Sequence, residues 1–104
     1  MEPKAVSIVK LTGDPDELLK WKQEEMDPYM RPKAVKHGAI SQTVVKTEDG
    51  IMMINFWSTP EGRHTMGEEV MNDPEFDRIL QEGGRERQMP TGYEVLQHLT
   101  AKTQ

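Results

Sequence analysis

Arg63 and His64 are the residues whose type and position best suit chemistry. They follow the apolar run Ile51-Met52-Met53-Ile54-Asn55-Phe56-Trp57-Ser58 across Thr59-Pro60-Glu61-Gly62, near the start of a helical pattern. Arg63 shares the apolar stripe of that helix with Met66 and Val70, so its guanidinium points with the core-facing side chains. A cation so placed needs a carboxylate, backbone carbonyls or an anionic ligand. It either anchors a phenolate, enolate or carboxylate, or snorkels to water and pairs with a local acid. His64 lies at the edge of the stripe. It suits a general base, because histidine titrates near neutrality, and equally suits an ordinary surface position. Asn55 and Trp57 lie on one face of the preceding strand with Met53, because strand side chains alternate. A buried amide such as Asn55 needs partners or a ligand. The catalytic candidates are therefore Arg63, His64 and Asn55. Trp57, Met53 and Met66, with Tyr29 and Trp21 from an earlier helix, are candidates to line a small-molecule pocket. The alternative for these aromatics and methionines is core filling. His37 falls in a loop, where solvation is expected, and His98 in the last strand. No two histidines stand at metal-ligand spacing on a helix and cysteine is missing, so neither metal nor cofactor is expected.

Composition narrows the class of function. The 104 residues fit one domain, 1–104. A formal net charge of -5 argues against general nucleic-acid binding, which needs a basic face. No apolar run reaches the ~18 residues of a membrane span, and Met1-Glu2-Pro3-Lys4 lacks the apolar core of a signal peptide. A soluble cytoplasmic protein is expected. With hydrophobic residues at 35% and charged residues at 30%, a lone chain would have a thin core. Oligomerisation would thicken it.

The elements that position these residues can be read in order. Lys4 to Leu11 is a first strand, with Val6 and Ile8 on one face and Ala5, Val9 and Leu11 on the other. Asp14-Pro15-Asp16-Glu17 starts a helix, with Asp14 as N-cap and proline at the first helical position. Its inner stripe is Leu18, Leu19, Met26, Tyr29 and Met30, leaving Lys20, Lys22, Gln23 and Glu24 to water. Asp27-Pro28 bends or ends it, Arg31-Pro32 closes the segment, and Lys33 to Gly38 is a polar connection. Ala39 to Thr47 is the second strand, Glu48-Asp49-Gly50 a hairpin turn and Ile51 to Ser58 the third strand. The third strand is apolar on both faces, so cover is expected on both sides. A second helix runs from Pro60 to Met71. Asn72-Asp73-Pro74 interrupts it, a continuation presents Phe76, Ile79 and Leu80, and Gly83-Gly84 stops it. Gly62 and Gly67 within this helix favour the anion-anchor reading of Arg63, and Gly67 suggests space held open beneath the helix, since helical glycine costs about 1 kcal/mol relative to alanine. Arg85 to Thr91 is a charged loop, Gly92 to Leu99 a last strand, and Lys102-Thr103-Gln104 a frayed tail. The order is β-α-β-β-α-β, an α+β ferredoxin-like arrangement: one antiparallel four-stranded sheet with two helices on one face.

With His37-Gly38-Ala39-Ile40, Asp49-Gly50 and Asn55-Phe56-Trp57-Ser58 leading into Glu61-Gly62-Arg63, the chain resembles the antibiotic biosynthesis monooxygenase-like family. Those proteins pair two ferredoxin-like sheets into a dimeric α+β barrel. The resemblance implies a homodimer acting on an aromatic or polyketide-like molecule, and an oxidoreductase of the cofactor-independent monooxygenase type. Family members that oxidise polycyclic aromatics use a third-strand asparagine and a tryptophan matching Trp57. Met53 stands at the usual asparagine position, with Asn55 as stand-in. Haem-degrading relatives carry a late second-helix histidine, which Phe76-Asp77-Arg78-Ile79-Leu80 lacks. Two functions stay open. One is an enzyme, a monooxygenase or an isomerase or cyclase, in which Arg63 stabilises an anion and His64 moves a proton. The other is a non-catalytic ligand-binding or accessory protein. Either way, a pocket between the sheet and the second helix is expected, lined by Asn55, Trp57, Arg63 and Met66. Its occupant would be an anionic aromatic.

Overall fold

The computed structural model describes residues 2–102, so Thr103 and Gln104 of the expected frayed tail lie outside the described residues. The strands are β1 (Ala5–Thr12), β2 (Ala39–Lys46), β3 (Gly50–Trp57) and β4 (Thr91–Glu94). They form one antiparallel sheet in the order β2-β3-β1-β4, the split arrangement expected of the βαββαβ order. The helices are α1 (Pro15–Trp21), α2 (Asp27–Lys36), α3 (Pro60–Met71) and α4 (Pro74–Glu82), with a π-helical turn, Lys22–Met26, joining α1 to α2.

The starts of α1, α3 and α4 are fixed by side-chain caps. Asp14 accepts from the Glu17 N–H, Thr59 from the Gly62 N–H and Asp73 from the Glu75 N–H, each at 3.0 Å, and each cap is followed by proline. Of the two outcomes expected at Asp27-Pro28, a bend or an end, the helical segment after Asp14 does not end but passes through the π turn, and it is not closed at Arg31-Pro32. Within the π turn the Asp27 N–H reaches the Lys22 carbonyl, and Pro28 becomes a first-turn residue of α2, where a missing donor is harmless. Pro32 remains inside α2. Met26, Tyr29, Met30 and Ala34 pack into the core along this stretch, and that burial offsets the proline penalty.

Alternation alone left open which face of β3 lies beneath the helices. It is the face of Ile51, Met53, Asn55 and Trp57. Two core clusters form there. One holds Ala5, Met26, Trp57, Met66, Val70, Phe76 and Leu80, the other Leu11, Leu18, Ile51 and Met53. The opposite face carries Val6, Ile8, Val45, Met52, Ile54 and Phe56, all half-buried.

Three expectations are corrected for local reasons. The hairpin forms where expected, but Gly50, whose carbonyl accepts from the Thr47 N–H at 2.9 Å to close the turn, already belongs to β3. The φ of Gly50 is not positive, and a Cβ there would overlap the Leu11 carbonyl. The last strand ends at Glu94 rather than Leu99. Val95 still donates to the Lys4 carbonyl at 2.9 Å, but the next residue along the partner is Pro3, which has no N–H. Lys22 is not in water: its side chain is 4% exposed and its Nζ lies 2.7 Å from Asp27 Oδ1. The π turn makes this pairing reachable, since a wider helical turn brings residues five apart to one side.

Candidate functional site

One row of the sheet is polar on the side that faces the helices. Gln42 on β2 pairs with Asn55 on β3, Asn55 with Ser7 on β1, and Ser7 with Gly92 on β4. Directly opposed residues of antiparallel strands share a face, so these four positions cross the sheet as a band. Gln42 Nε2 donates to Asn55 Oδ1 at 2.7 Å. In the buried middle of the band, Trp57 Nε1 donates to Ser7 Oγ at 3.1 Å. That bond satisfies the indole and leaves the Ser7 hydroxyl proton without an acceptor among the described residues.

Arg63 closes the band at the β4 end. Its guanidinium lies over Gly92, where an added Cβ would overlap Nη1, Cζ and Nε. The residue is half-buried, and its Nε is buried with no hydrogen-bond partner among the described residues. An unpartnered guanidinium N–H is a donor that an anion or a water can take, and Arg85 Nε, beside Trp21, is buried and unpartnered among the described residues as well. Ser7 lies directly across from Gly92, so the hydroxyl and the guanidinium are neighbours on one face.

The other candidates divide. Trp57 and Met66 are packed into the first core cluster and Met53 into the second, so they bound the band as interior walls rather than line open space. Tyr29 stacks on Phe76 at 6.0 Å and donates its hydroxyl to Asp73 Oδ2 at 2.6 Å. Burial first, then the Asp73 hydrogen bond, pushes the Tyr29 phenol well above its usual range, so it is no proton donor near neutrality. The same bond holds the Asp73 carboxyl below its usual range. Trp21 packs against both clusters, with the Arg85 guanidinium over its ring at 5.4 Å.

His64 is not brought to the band. Its side chain is 71% exposed and its Nε2 lies 2.6 Å from Glu68 Oε1, one turn further along α3. His37 falls in the turn between α2 and β2 as expected, but it is not solvated. Its side chain is 13% exposed, and its Nε2 faces Glu69 Oε2 at 3.5 Å, too far for a firm hydrogen bond. Glu69 is held below the usual carboxylate range, foremost by Lys36, whose Nζ donates to it at 2.9 Å. His98 lies beyond β4, with its ring 6.0 Å from Phe56. Gly62 is explained by packing, because a Cβ would overlap the His37 carbonyl. A Cβ on Gly67 would meet nothing within 4 Å. A groove of about 500 Å³ lies elsewhere, along α2 beside Asp27, Arg31 and Val35. Among the described residues no group of three or more histidine, aspartate or glutamate side chains is gathered to hold a metal ion. None of the helices they form is long and apolar enough to cross a membrane.

Sequence reasoning missed Ser7, Gln42 and Gly92. Ser7 left a signal, a lone hydroxyl in the otherwise apolar Ala5, Val9, Leu11 face. Gly92 left another, since a glycine within a strand often marks close approach.

The fold is similar to that of a dimeric ferredoxin-like protein from an uncultured marine organism. The two superpose with a TM-score of 0.69 at 18% sequence identity, over 95% of this chain and 93% of that one. At that identity the likeness establishes a shared ferredoxin-like fold. No protein-family model matches the sequence, and no curated protein does.

Proposed function

We propose that this chain forms a homodimer that binds a small anionic molecule, an aromatic or polyketide-like carboxylate, phenolate or enolate, at the Ser7–Arg63 end of the polar band. The observation that carries this reading is the buried Arg63 Nε and the Ser7 hydroxyl proton, neither with an acceptor among the described residues, on one face of the sheet. The ligand meets the guanidinium at the β4 edge, the shortest and outermost strand. Trp57 and Asn55 hold the remainder of the frame. The dimer reading rests on the apolar face of Val6, Ile8, Met52, Ile54 and Phe56, which a second copy of the sheet would cover. The dimeric neighbour agrees with it.

Binding without turnover fits the band better than catalysis, because His64 stands outside it and Tyr29 holds its proton tightly. A second reading, a cofactor-independent monooxygenase of the antibiotic biosynthesis type, is favoured by Asn55 and Trp57 sharing the helix-covered face. In that case Arg63 and Ser7 stabilise the substrate anion.

Quenching of tryptophan fluorescence by 2-naphthoate tests the site, and native mass spectrometry of the purified protein reveals any acid carried with it. The expected result is binding that Arg63→Ala weakens at least tenfold without lowering the melting temperature. Equal affinity in the variant, or a wild-type protein that neither carries nor binds an acid, overturns the reading. Light scattering after gel filtration should give about twice the 11.9 kDa chain mass.

A further inference from the structure

His37 Nε2 and Glu69 Oε2 face each other at 3.5 Å, and both atoms are buried with no hydrogen-bond partner among the described residues. A proton on Nε2 makes the imidazole a donor to that oxygen, whereas a ring without it sets lone pair against lone pair. The pair ties two helices together. His37 caps the C-terminus of α2 just before β2, and Glu69 belongs to α3. The backbone at His37 also abuts the start of α3, since its carbonyl fills the space of a Cβ on Gly62. Gly38 then accepts from the Ser58 N–H at 2.9 Å, which fixes this turn to the end of β3. At about 100° per residue, Arg63 and Glu69 stand roughly 120° apart on α3, with the buried Met66 and Val70 between them. They therefore leave the helix on opposite flanks of its core-facing line. Glu69 meets His37 at the β2 edge of the sheet, and Arg63 reaches over Gly92 on β4, the other edge. A roll of α3 about its axis that opens one contact displaces the other.

We propose that His37 is a positioning residue for Arg63: a proton on its Nε2 closes the contact to Glu69, fixes the roll of α3 and so holds the guanidinium ready for an anion. This rests on the anion-binding reading of Arg63 and gives that site its control by pH. The charged groups at the pair, among the described residues, are Glu69 from α3 and Lys36 from α2, whose Nζ holds the other Glu69 oxygen at 2.9 Å. The residue that β3 brings to this turn, Ser58, is uncharged. Glu69 is held below the usual carboxylate range, foremost by Lys36, so it stays ionised near neutrality. Histidine is the side chain that changes charge between about pH 5 and pH 8. Fixing Arg63 before the ligand arrives removes an ordering cost from binding, so the protonated form binds the anion more tightly. Direct attraction between the imidazolium and the anion is weak. The two edge strands stand three spacings apart, about 14 Å, against a Debye length of about 8 Å at physiological ionic strength.

Binding of 2-naphthoate, a carboxylate ionised throughout the range, is measured from about pH 5.5 to about pH 8. Wild-type affinity is expected to fall at least threefold as pH rises. His37→Gln keeps a donor at the same reach but cannot titrate, so its affinity should be independent of pH. Glu69→Gln should flatten the profile as well, and His64→Gln, on the exposed side of α3, should keep it. A second measurement needs no ligand. In the His64→Gln background, the Arg63 Nε–Hε resonance of the free protein should shift together with the titration of the His37 ring, and His37→Gln should abolish that shift. A pH profile that survives in His37→Gln overturns the proposal and leaves anion binding standing. If 2-naphthoate binds at no pH, the anion reading falls and the resonance decides: an Arg63 signal that follows His37 upholds the coupling, and one that stays fixed overturns it.

Discussion

The guanidinium of Arg63 occupies the space where any residue but glycine at position 92 would carry its Cβ. Gly92 is therefore part of the polar band although it has no side chain. The overlap falls on the far end of a flexible side chain, so Gly92→Ala moves the guanidinium rather than the strand. Gly92→Ala should change stability by less than about 1 kcal/mol, since alanine is no worse than glycine in a strand. It should nevertheless weaken 2-naphthoate binding about as much as Arg63→Ala does. Urea unfolding and fluorescence quenching on the same preparations check both halves.

Ser7→Ala removes the acceptor of the Trp57 indole N–H in the buried middle of the sheet. An orphaned buried donor costs about 1–3 kcal/mol. The double variant Ser7→Ala/Trp57→Phe removes donor and acceptor together, so its hydrogen-bond loss should not exceed that of Ser7→Ala alone. A double-mutant cycle from urea midpoints reads the coupling.

Asp27→Ala leaves the Lys22 ammonium buried without its 2.7 Å partner. Breaking a buried ion pair from one side is expected to cost about 3 kcal/mol, whereas Lys22→Met with Asp27→Leu should be close to neutral. Thermal melts of the single and double variants distinguish this from a surface pair, for which both changes would be small.

Asp73 and Glu69 are both held below the ordinary carboxylate range, Asp73 by the Tyr29 hydroxyl first and Glu69 by Lys36 first. Because their folded pKa values are depressed, the stability they contribute is full above the ordinary carboxylate range near pH 4. It is lost as pH falls through the lower folded values. Melting temperature should therefore drop as pH falls below about 4, and Tyr29→Phe should make that drop shallower. A variant with the same acid slope as wild type would refute the role of the Tyr29–Asp73 bond.

Gly67→Ala should stabilise the chain by about 0.5–1 kcal/mol, because nothing stands within 4 Å of the added methyl and alanine is the better helix former. If Gly67 instead holds space for a ligand, the same change will lower affinity. Paired melts and binding curves separate the two.

What the sequence by itself determined is the architecture. Caps at Asp14, Thr59 and Asp73, each followed by proline, set the helix starts from local chemistry, and β-branched and apolar runs set the strands. Arg63 was legible as a misplaced cation because a helical stripe is a local property. What the tertiary structure decided is everything that depends on two elements meeting. Strand period two cannot say which face of β3 the helices cover. Only pairing across β2, β3, β1 and β4 aligns Gln42, Asn55, Ser7 and Gly92, residues far apart in the chain. Core packing carried the helix past Pro28 and Pro32 and drew Lys22 inside, because the burial of Met26, Tyr29 and Met30 outweighs a local proline penalty. His64, one position from Arg63, points to water because a helix turns by about 100° per residue and the sheet lies on one side only.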